Sequence, residues 1–210
     1  MLNADVLTFN EFVTHEPLPL SKIQQAVLEF LQGRDDAVLF GAQAVNAYVS
    51  EPRATQDVDI MSTRAKELAK ELCDHLGERF HIAVRIREVA GGKGIRIYQV
   101  RKEGNRRLVD LRPVIEFPET QAFEEIRVLS PEELIAGKVI SYISRFGKSK
   151  SWTDRRDLTV LLLRFPELKT GVGKVQIILK RLGATREAFE FWDELDASDI
   201  EIENDDDLNF

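Results

Sequence analysis

The stretch AVLF-GAQAVNAYV-SEPRATQ-DVDIM, residues 37–61, decides the fold class. AVLF (37–40) is an apolar run of strand length, and GAQAVNAYV (41–49) resumes helical spacing. After the turn-like SEPRAT comes DVDIM (57–61), which reads as a second strand. Gly41 therefore stands at a strand-to-helix turn, where the lack of a Cβ lets the backbone bend sharply and approach a ligand. The amides of Ala42 and Gln43 then point out of a helix N-terminus, where the dipole favours phosphate. In Asp57-Val58-Asp59-Ile60, residues two apart share one face of a strand, so the two carboxylates stand side by side. Val58 and Ile60 point the other way, into the core.

Two carboxylates that close repel each other and raise each other's pKa unless a cation neutralises them. A hard, oxygen-seeking ion such as Mg²⁺ (or Mn²⁺) does so, and paired acids beside a triphosphate are its usual setting. Asp also disfavours strands, so two of them alternating with apolar residues in a central run call for a reason. The competing reading is a surface strand with two solvated acids. Asp110, in RLVDLRPV (107–114), alternates with Val109 and Leu111 and so opposes the core-facing side chains. If its strand neighbours 57–61 with matching faces, three carboxylates converge. Three can hold two Mg²⁺ roughly 3.5–4 Å apart, which activates an attacking oxygen and neutralises a leaving pyrophosphate. The alternative for Asp110 is an ion pair with Arg106, Arg112 or another neighbour.

Outward from this centre, Ser21 is a candidate N-cap for the amphipathic helix KIQQAVLEFLQ, stopped by Gly33. Thr63 opens a second helix, RAKELAKELCDHLG, closed by Gly77. FHIAVRI (80–86), GIRIYQV (94–100), RRLVDLRPV (106–114) and EIRVL (125–129) read as strands, with GGKG and KEGN as turns. From Ser130 the character changes. SPEE offers an N-cap serine, a proline at the first helical position and Glu133 as the reciprocal capping-box residue. LIAGKVISYISRF, TDRRDLTVLLLRF, GKVQIILKRL and TREAFEFWDEL all carry helical spacing. The expected class is α+β, a small mixed sheet flanked by helices and followed by a helical C-terminal half. The expected organisation is an α/β core over 1–129, a helical region over 130–195 and an acidic, solvated tail over 196–210.

With 210 residues the chain can bury a sizeable core. It has no apolar run of the roughly 18 residues a bilayer crossing requires, and no secretory signal pattern, so a membrane role is not expected. Cys73 is the single cysteine, which excludes an intrachain disulfide framework and points to a reducing cytoplasm; its helical spacing suits a small core residue. Nine acids fall within DELDASDIEIENDDD (193–207), which has no Lys or Arg; against a whole-chain charge of −7 they leave the remainder at +2. A frayed, solvated terminus explains the tail, and a tail that covers a basic groove is the sharper alternative. Arg96, Arg101, Lys102, Arg106 and Arg107, with Lys148, Lys150, Arg155 and Arg156, are candidate nucleic-acid tracks or scattered surface charges. Trp152 and Trp192 read as packing aromatics.

Gly41-Ala42 followed by Arg53-Ala54-Thr55-Gln56-Asp57-Val58-Asp59-Ile60 resembles the signature of the DNA polymerase β-type nucleotidyltransferase superfamily, in particular its AbiEii-like branch. The resemblance covers residues from about 37 to 163. It implies metal binding and catalysis by Asp57, Asp59 and Asp110, and nucleotide binding by Gly41, Ala42, Gln43, Arg53 and Thr55. LIAGKVISYISR and DRRDLTVLL resemble segments that supply Lys138, Arg156 and Asp157 as further nucleotide contacts. A solvated helix lysine and surface ion pairs are the competing readings there. Ala42 departs from the second Gly or Ser usual in the motif, which removes a hydroxyl contact and keeps the amide. The implied activity moves a nucleoside monophosphate from an NTP substrate to a hydroxyl of a tRNA, protein or small-molecule acceptor. The branch further implies the toxin of a toxin–antitoxin pair, with an antitoxin as protein partner. Two alternatives are a non-catalytic nucleotide- or RNA-binding module of the same fold, and a glycosyltransferase, whose DxD pair also holds a metal.

Overall fold

The structure, a computed structural model, describes residues 18–200. The chain divides into two compact units, with the boundary between Ser130 and Pro131. The acidic stretch from residue 201 onward lies outside the described residues.

The first unit is a seven-stranded mixed sheet in the order β3-β4-β5-β2-β1-β7-β6. The strands are β1 (Ala37–Phe40), β2 (Val58–Ser62), β3 (Val84–Val89), β4 (Gly94–Gln99), β5 (Arg106–Pro113), β6 (Thr120–Phe123) and β7 (Ile126–Leu129). Its helices are α1 (Leu20–Leu31), α2 (Gly41–Tyr48) and α3 (Ala65–Phe80). β2 is the central strand. It pairs antiparallel with β1 and parallel with β5, and the second pairing sets Asp59 directly opposite Asp110. Val58, Ile60, Val109 and Leu111 are all completely buried. Each is worth about 1.5–3 kcal/mol in apolar burial. That burial fixes the register, because a slip of one residue would drive the acids into the core.

The apolar side chains of α1 and α3 recur at helical spacing. Ile23, Val27 and Leu31 from α1, and Leu68, Leu72 and Leu76 from α3, belong to the core. Helix α1 begins two residues earlier than its sequence suggests: Pro19 precedes it and Ser21 is buried within it, so the serine is not the cap. Helix α3 runs through Gly77 to Phe80 and closes on His81 in the left-handed region (φ 53°). A mid-helix glycine costs only about 1 kcal/mol, which packing along this helix outweighs. The strand expected from residue 80 therefore starts at Val84. Strand β6, TQAF, is not foreseen from sequence; it lacks β-branched density and exists through antiparallel pairing with β7.

The second unit contains α4 (Pro131–Ser144), α5 (Ser149–Arg164), α6 (Lys174–Arg181) and α7 (Arg186–Ala197). Leu134, Ile135, Val139, Leu158, Leu161, Leu179 and Trp192 form its core, and Tyr142 stacks on Phe191 with ring centroids 4.3 Å apart. The Glu133 carboxylate accepts two hydrogen bonds from Arg181, at 2.5 and 2.6 Å. Trp152 is 69% exposed, so the packing role expected of it does not hold, whereas Trp192 is buried. No helix among the described residues is long and apolar enough to cross a membrane.

Candidate active site

Asp57, Asp59 and Asp110 each offer a carboxylate oxygen, and these oxygens lie within 4.8 Å of one another. Asp59 comes from the middle of β2 and Asp110 from the facing position of β5. Asp57 lies in the bend just before β2 rather than on the strand itself. All three are partly exposed, which leaves them accessible to a dissolved ligand.

Gly41 makes room for this arrangement. It has φ +72°, and a Cβ placed on it would lie 2.7 Å from the carboxylate carbon of Asp59 and 2.9 Å from its Cβ. The glycine thus serves twice: it permits the turn from β1 into α2, and it lets the α2 N-terminus stand against the carboxylate. Backbone amides of the first turn of α2 are without intrahelical partners, and there the helix dipole favours an anion. Ala42 is half-buried in this turn. Gln43 is buried and its Oε1 accepts from Asn46 at 3.1 Å, so its side chain is engaged within the protein and only its backbone is left for a ligand to meet.

The loop between α2 and β2 is tied down at both ends. Asn46 Nδ2 donates to the Arg53 carbonyl at 2.8 Å, and Asn46 Oδ1 accepts from the Arg53 amide at 3.1 Å. Gln24 of α1, itself buried, donates to both the carbonyl and the hydroxyl of Thr55 at 3.0 Å. Thr55 therefore positions the approach to Asp57 from a buried site. Neither Gln24 nor Asn46 is visible as a site residue from sequence, because each acts through a neighbour 31 or 7 positions away.

Two arginines neutralise the acids. Arg107 Nε lies 2.6 Å from Asp57 Oδ2, with Nη1 3.9 Å from Asp110 Oδ2, and Arg96 Nε donates to Asp110 Oδ2 at 3.0 Å. The hydrogen bond to Asp110, followed by one to Tyr98, holds the Arg96 guanidinium pKa above its usual value. Asp110 is thus both close to the other carboxylates and ion-paired, with Arg96 and Arg107 as the neighbours rather than Arg106 or Arg112. Arg106 turns instead to Gln99 and the Leu18 carbonyl, and Arg112 lies over the Phe40 ring at 4.7 Å. A register shift between Ile97 and Tyr98 sets Tyr98 opposite Arg107, which puts Arg107 on the carboxylate face; simple alternation along β5 hides this.

The donor set suits a hard divalent ion. Three carboxylates converge without a sulfur or imidazole ligand among them, and two guanidinium groups beside Asp57 and Asp110 supply counter-charge. Asp57, Asp59 and Asp110 would hold Mg²⁺ or Mn²⁺.

In the helical unit, Lys138 Nζ donates to Asp157 Oδ2 at 2.6 Å and Asp154 Oδ1 at 3.2 Å. Asp154 also accepts from Arg145 at 2.9 Å, and Arg156 Nη1 stands 3.9 Å from Asp157. Asp154 and Asp157 are buried, so Lys138 is committed to a buried ion cluster rather than solvated. On α3, burial pushes the half-buried Cys73 thiol pKa up, which keeps it protonated and unreactive.

Residues 25–204 match the family described as nucleotidyl transferase AbiEii toxin, type IV toxin–antitoxin system. Curated proteins give no sequence match. Among solved structures, the Megavirus polyadenylate synthase is similar at TM-score 0.56 and 15% identity, over 70% of this chain and 32% of that one. The chain therefore spans about a third of that enzyme's length. JHP933 from Helicobacter pylori is similar at TM-score 0.51 and 15% identity, over 91% of this chain and 90% of that one. At these identities the structural likeness speaks for the fold, and the family match, which covers most of the chain, speaks for the activity class. This chain belongs to the AbiEii family of nucleotidyltransferases.

Proposed function

We propose that this protein transfers a nucleoside monophosphate from an NTP to an acceptor hydroxyl, with Mg²⁺ held by Asp57, Asp59 and Asp110. The observation that carries the reading is the convergence of those three carboxylates within 4.8 Å, beside a glycine turn shaped to the Asp59 side chain. In the reaction the acceptor oxygen bonds to the α-phosphorus as the bond from that phosphorus to the β-phosphate's bridging oxygen breaks. Pyrophosphate leaves, and the hydroxyl proton passes to Asp110. Bound at the carboxylates, the metal supplies Lewis-acid neutralisation of the charge that builds on the transferred phosphoryl group.

The chain's own groups supply the rest. Gly41, with the Ala42 and Gln43 amides, cradles the triphosphate at the α2 N-terminus. Arg53 and Thr55 shape the approach to Asp57. Lys138, Arg156 and Asp157 are assigned to nucleotide contact by their family resemblance alone. A clustered acidic triad favours catalysis over mere binding, since a pure phosphate binder gains nothing from carboxylates beside its ligand. As a member of a toxin family it would act in the cytoplasm, held in check by an antitoxin protein partner.

The test is incorporation of each α-³²P-labelled NTP, with Mg²⁺, into total tRNA and into protein, by wild type, Asp57→Ala and Asp59→Ala. Label transferred by wild type and lost in both variants supports the reading and names the nucleotide. No label on any acceptor, with NTP binding unchanged in the variants, overturns it.

A further inference from the structure

The sheet face that carries the carboxylates does not end at β5. Directly opposite residues of neighbouring strands share a face, and the registers run Asp110↔Arg96↔Arg87 and Arg107↔Tyr98↔Arg85. Four arginines and a tyrosine thus continue the catalytic face outward to the edge strand. Two of the four, Arg96 and Arg107, are paired with the acids. Arg85 and Arg87 are exposed and have no acidic partner among the described residues. Arg87 moreover stands directly across from Arg96, a like-charge pairing that costs stability in an antiparallel ladder.

Charge on an edge strand protects against strand addition, and that need alone would place it on either face. Here the sorting is strict. The one acid of β3, Glu88, lies on the opposite face, where it pairs with Lys66 of α3 at 3.1 Å. Val84 and Ile86 share that α3 face, and both cations of β3 lie on the carboxylate side. An outward series of arginines, the outer two exposed, with an aromatic ring among them and an acidic centre at its inner end, is complementary to a polyanion that brings one end to the centre.

We propose that the β3–β4 arginine face is the docking strip for the acceptor, and that the acceptor is a single-stranded nucleic-acid end. Its phosphates lie along Arg87 and Arg85, a base stacks on Tyr98, and the terminal hydroxyl reaches Asp110. The strip crosses two interstrand steps, roughly 10 Å, and a ring among its cations favours an unpaired strand, whose bases are free to stack. This rests on the transferase reading above for the role of Asp110, and on the strand registers alone for the surface.

The experiment measures fluorescence anisotropy of a 5′-labelled single-stranded RNA oligonucleotide with a free 3′ hydroxyl, at several salt concentrations, with Mg²⁺ and without NTP. The proteins are wild type, Arg85→Gln/Arg87→Gln, and Arg85→Lys/Arg87→Lys. Loss of two phosphate contacts lowers the slope of log K against log salt by about 1.4 in the glutamine variant, and lysine restores most of it. An equal slope in wild type and glutamine variant, or tighter binding to a blunt duplex than to the single strand, overturns the proposal. So does label transfer to protein by a wild type that binds no oligonucleotide. Because no NTP is present, failure of the two readings separates. Binding lost in the glutamine variant supports the strip even where wild type transfers no label. Label transfer to RNA at equal rates by wild type and glutamine variant keeps the transferase and removes the strip.

Discussion

Replacing Gly41 by alanine tests the geometry of the active site through two separable costs. The first is conformational: the residue has φ +72°, and an alanine held in the left-handed region costs about 1–2 kcal/mol. The second is contact. The new methyl would run into Asp59 Oδ2 and lie 2.7 Å from its carboxylate carbon, where ordinary contact begins at 3.4 Å, so the side chain must retreat by more than the difference of about 0.7 Å. Turning that side chain off its rotamer adds about 0.5–1.5 kcal/mol. The total, about 1.5–3.5 kcal/mol, lowers the melting temperature by roughly 3–14 °C. Displacement of a catalytic group on the order of 1 Å costs about a hundredfold in rate, far more than the stability loss alone would. Gly33→Ala is the control, since Gly33 has φ +71° and nothing within 4 Å of a built Cβ. It carries the conformational cost without the contact. Thermal melts by circular dichroism and transfer of α-labelled NTP read the two costs apart. Gly33→Ala should melt lower with activity kept, and Gly41→Ala lower still with activity lost. If both variants melt together and transfer label at similar rates, the close packing of Gly41 on Asp59 has no functional weight.

Arg107→Met removes the guanidinium that competes for Asp57 at 2.6 Å. It should bind Mn²⁺ about tenfold more tightly by electron paramagnetic resonance, with a lower melting temperature in chelator; unchanged Mn²⁺ affinity refutes the competition. Lys138→Met leaves Asp154 and Asp157 buried with their ammonium partner gone. It should lose about 3–5 kcal/mol in urea unfolding, and a loss under 1 kcal/mol would mean that Lys138 is not structural. Gln24→Ala strands the Thr55 carbonyl and hydroxyl. It should cost about 2–3 kcal/mol and speed proteolysis of the 50–56 loop, and an unaltered digestion pattern would count against its anchoring role. Asp36 accepts two hydrogen bonds at 2.8 Å from Arg34, which holds its carboxyl below the usual carboxylate range. A pKa lowered in the folded state stabilises above the unfolded-chain value, about 4, and the benefit is lost as pH falls through the folded value. Asp36→Asn should therefore trail wild type by a constant margin from pH 7 to 5, with the gap closing below about pH 4 in unfolding titrations. A gap that widens on acidification would reverse the sign.

Much of the site was legible because the strand period is a geometric constraint. Alternation in DVDI and in LVDL says which side chains share a face, and their burial fixes which face is which. That β5 lies beside β2 in matching register is a long-range fact; no local pattern announces it, and the sequence could state it only as a condition. The counter-cations were beyond reach for the same reason. Arg107 reaches the acids through an irregularity between β4 and β5, and of the bases near Asp110 in sequence, Arg106 and Arg112 turn elsewhere while Arg107 turns to the acids. Gly77 misled because glycine stops helices only where the backbone needs the left-handed region, and here His81 takes that conformation. Trp152 misled because aromatic character does not fix burial, and its place on α5 turns it to solvent.

The insertion of β5 between β4 and β2 has a consequence in time. The chain lays down β1 and β2 early, then runs through α3, β3 and β4 before the strand that completes the triad is made. Asp57 and Asp59 are on hand long before Asp110, yet without it they are a pair of acids with no third ligand. The three carboxylates converge only once residues 106–113 have been made and have paired between β4 and β2. Strand pairings between distant residues form late and cooperatively. On the proposed reading, a chain that ends before residue 106 carries two of the three carboxylates and no place for the third.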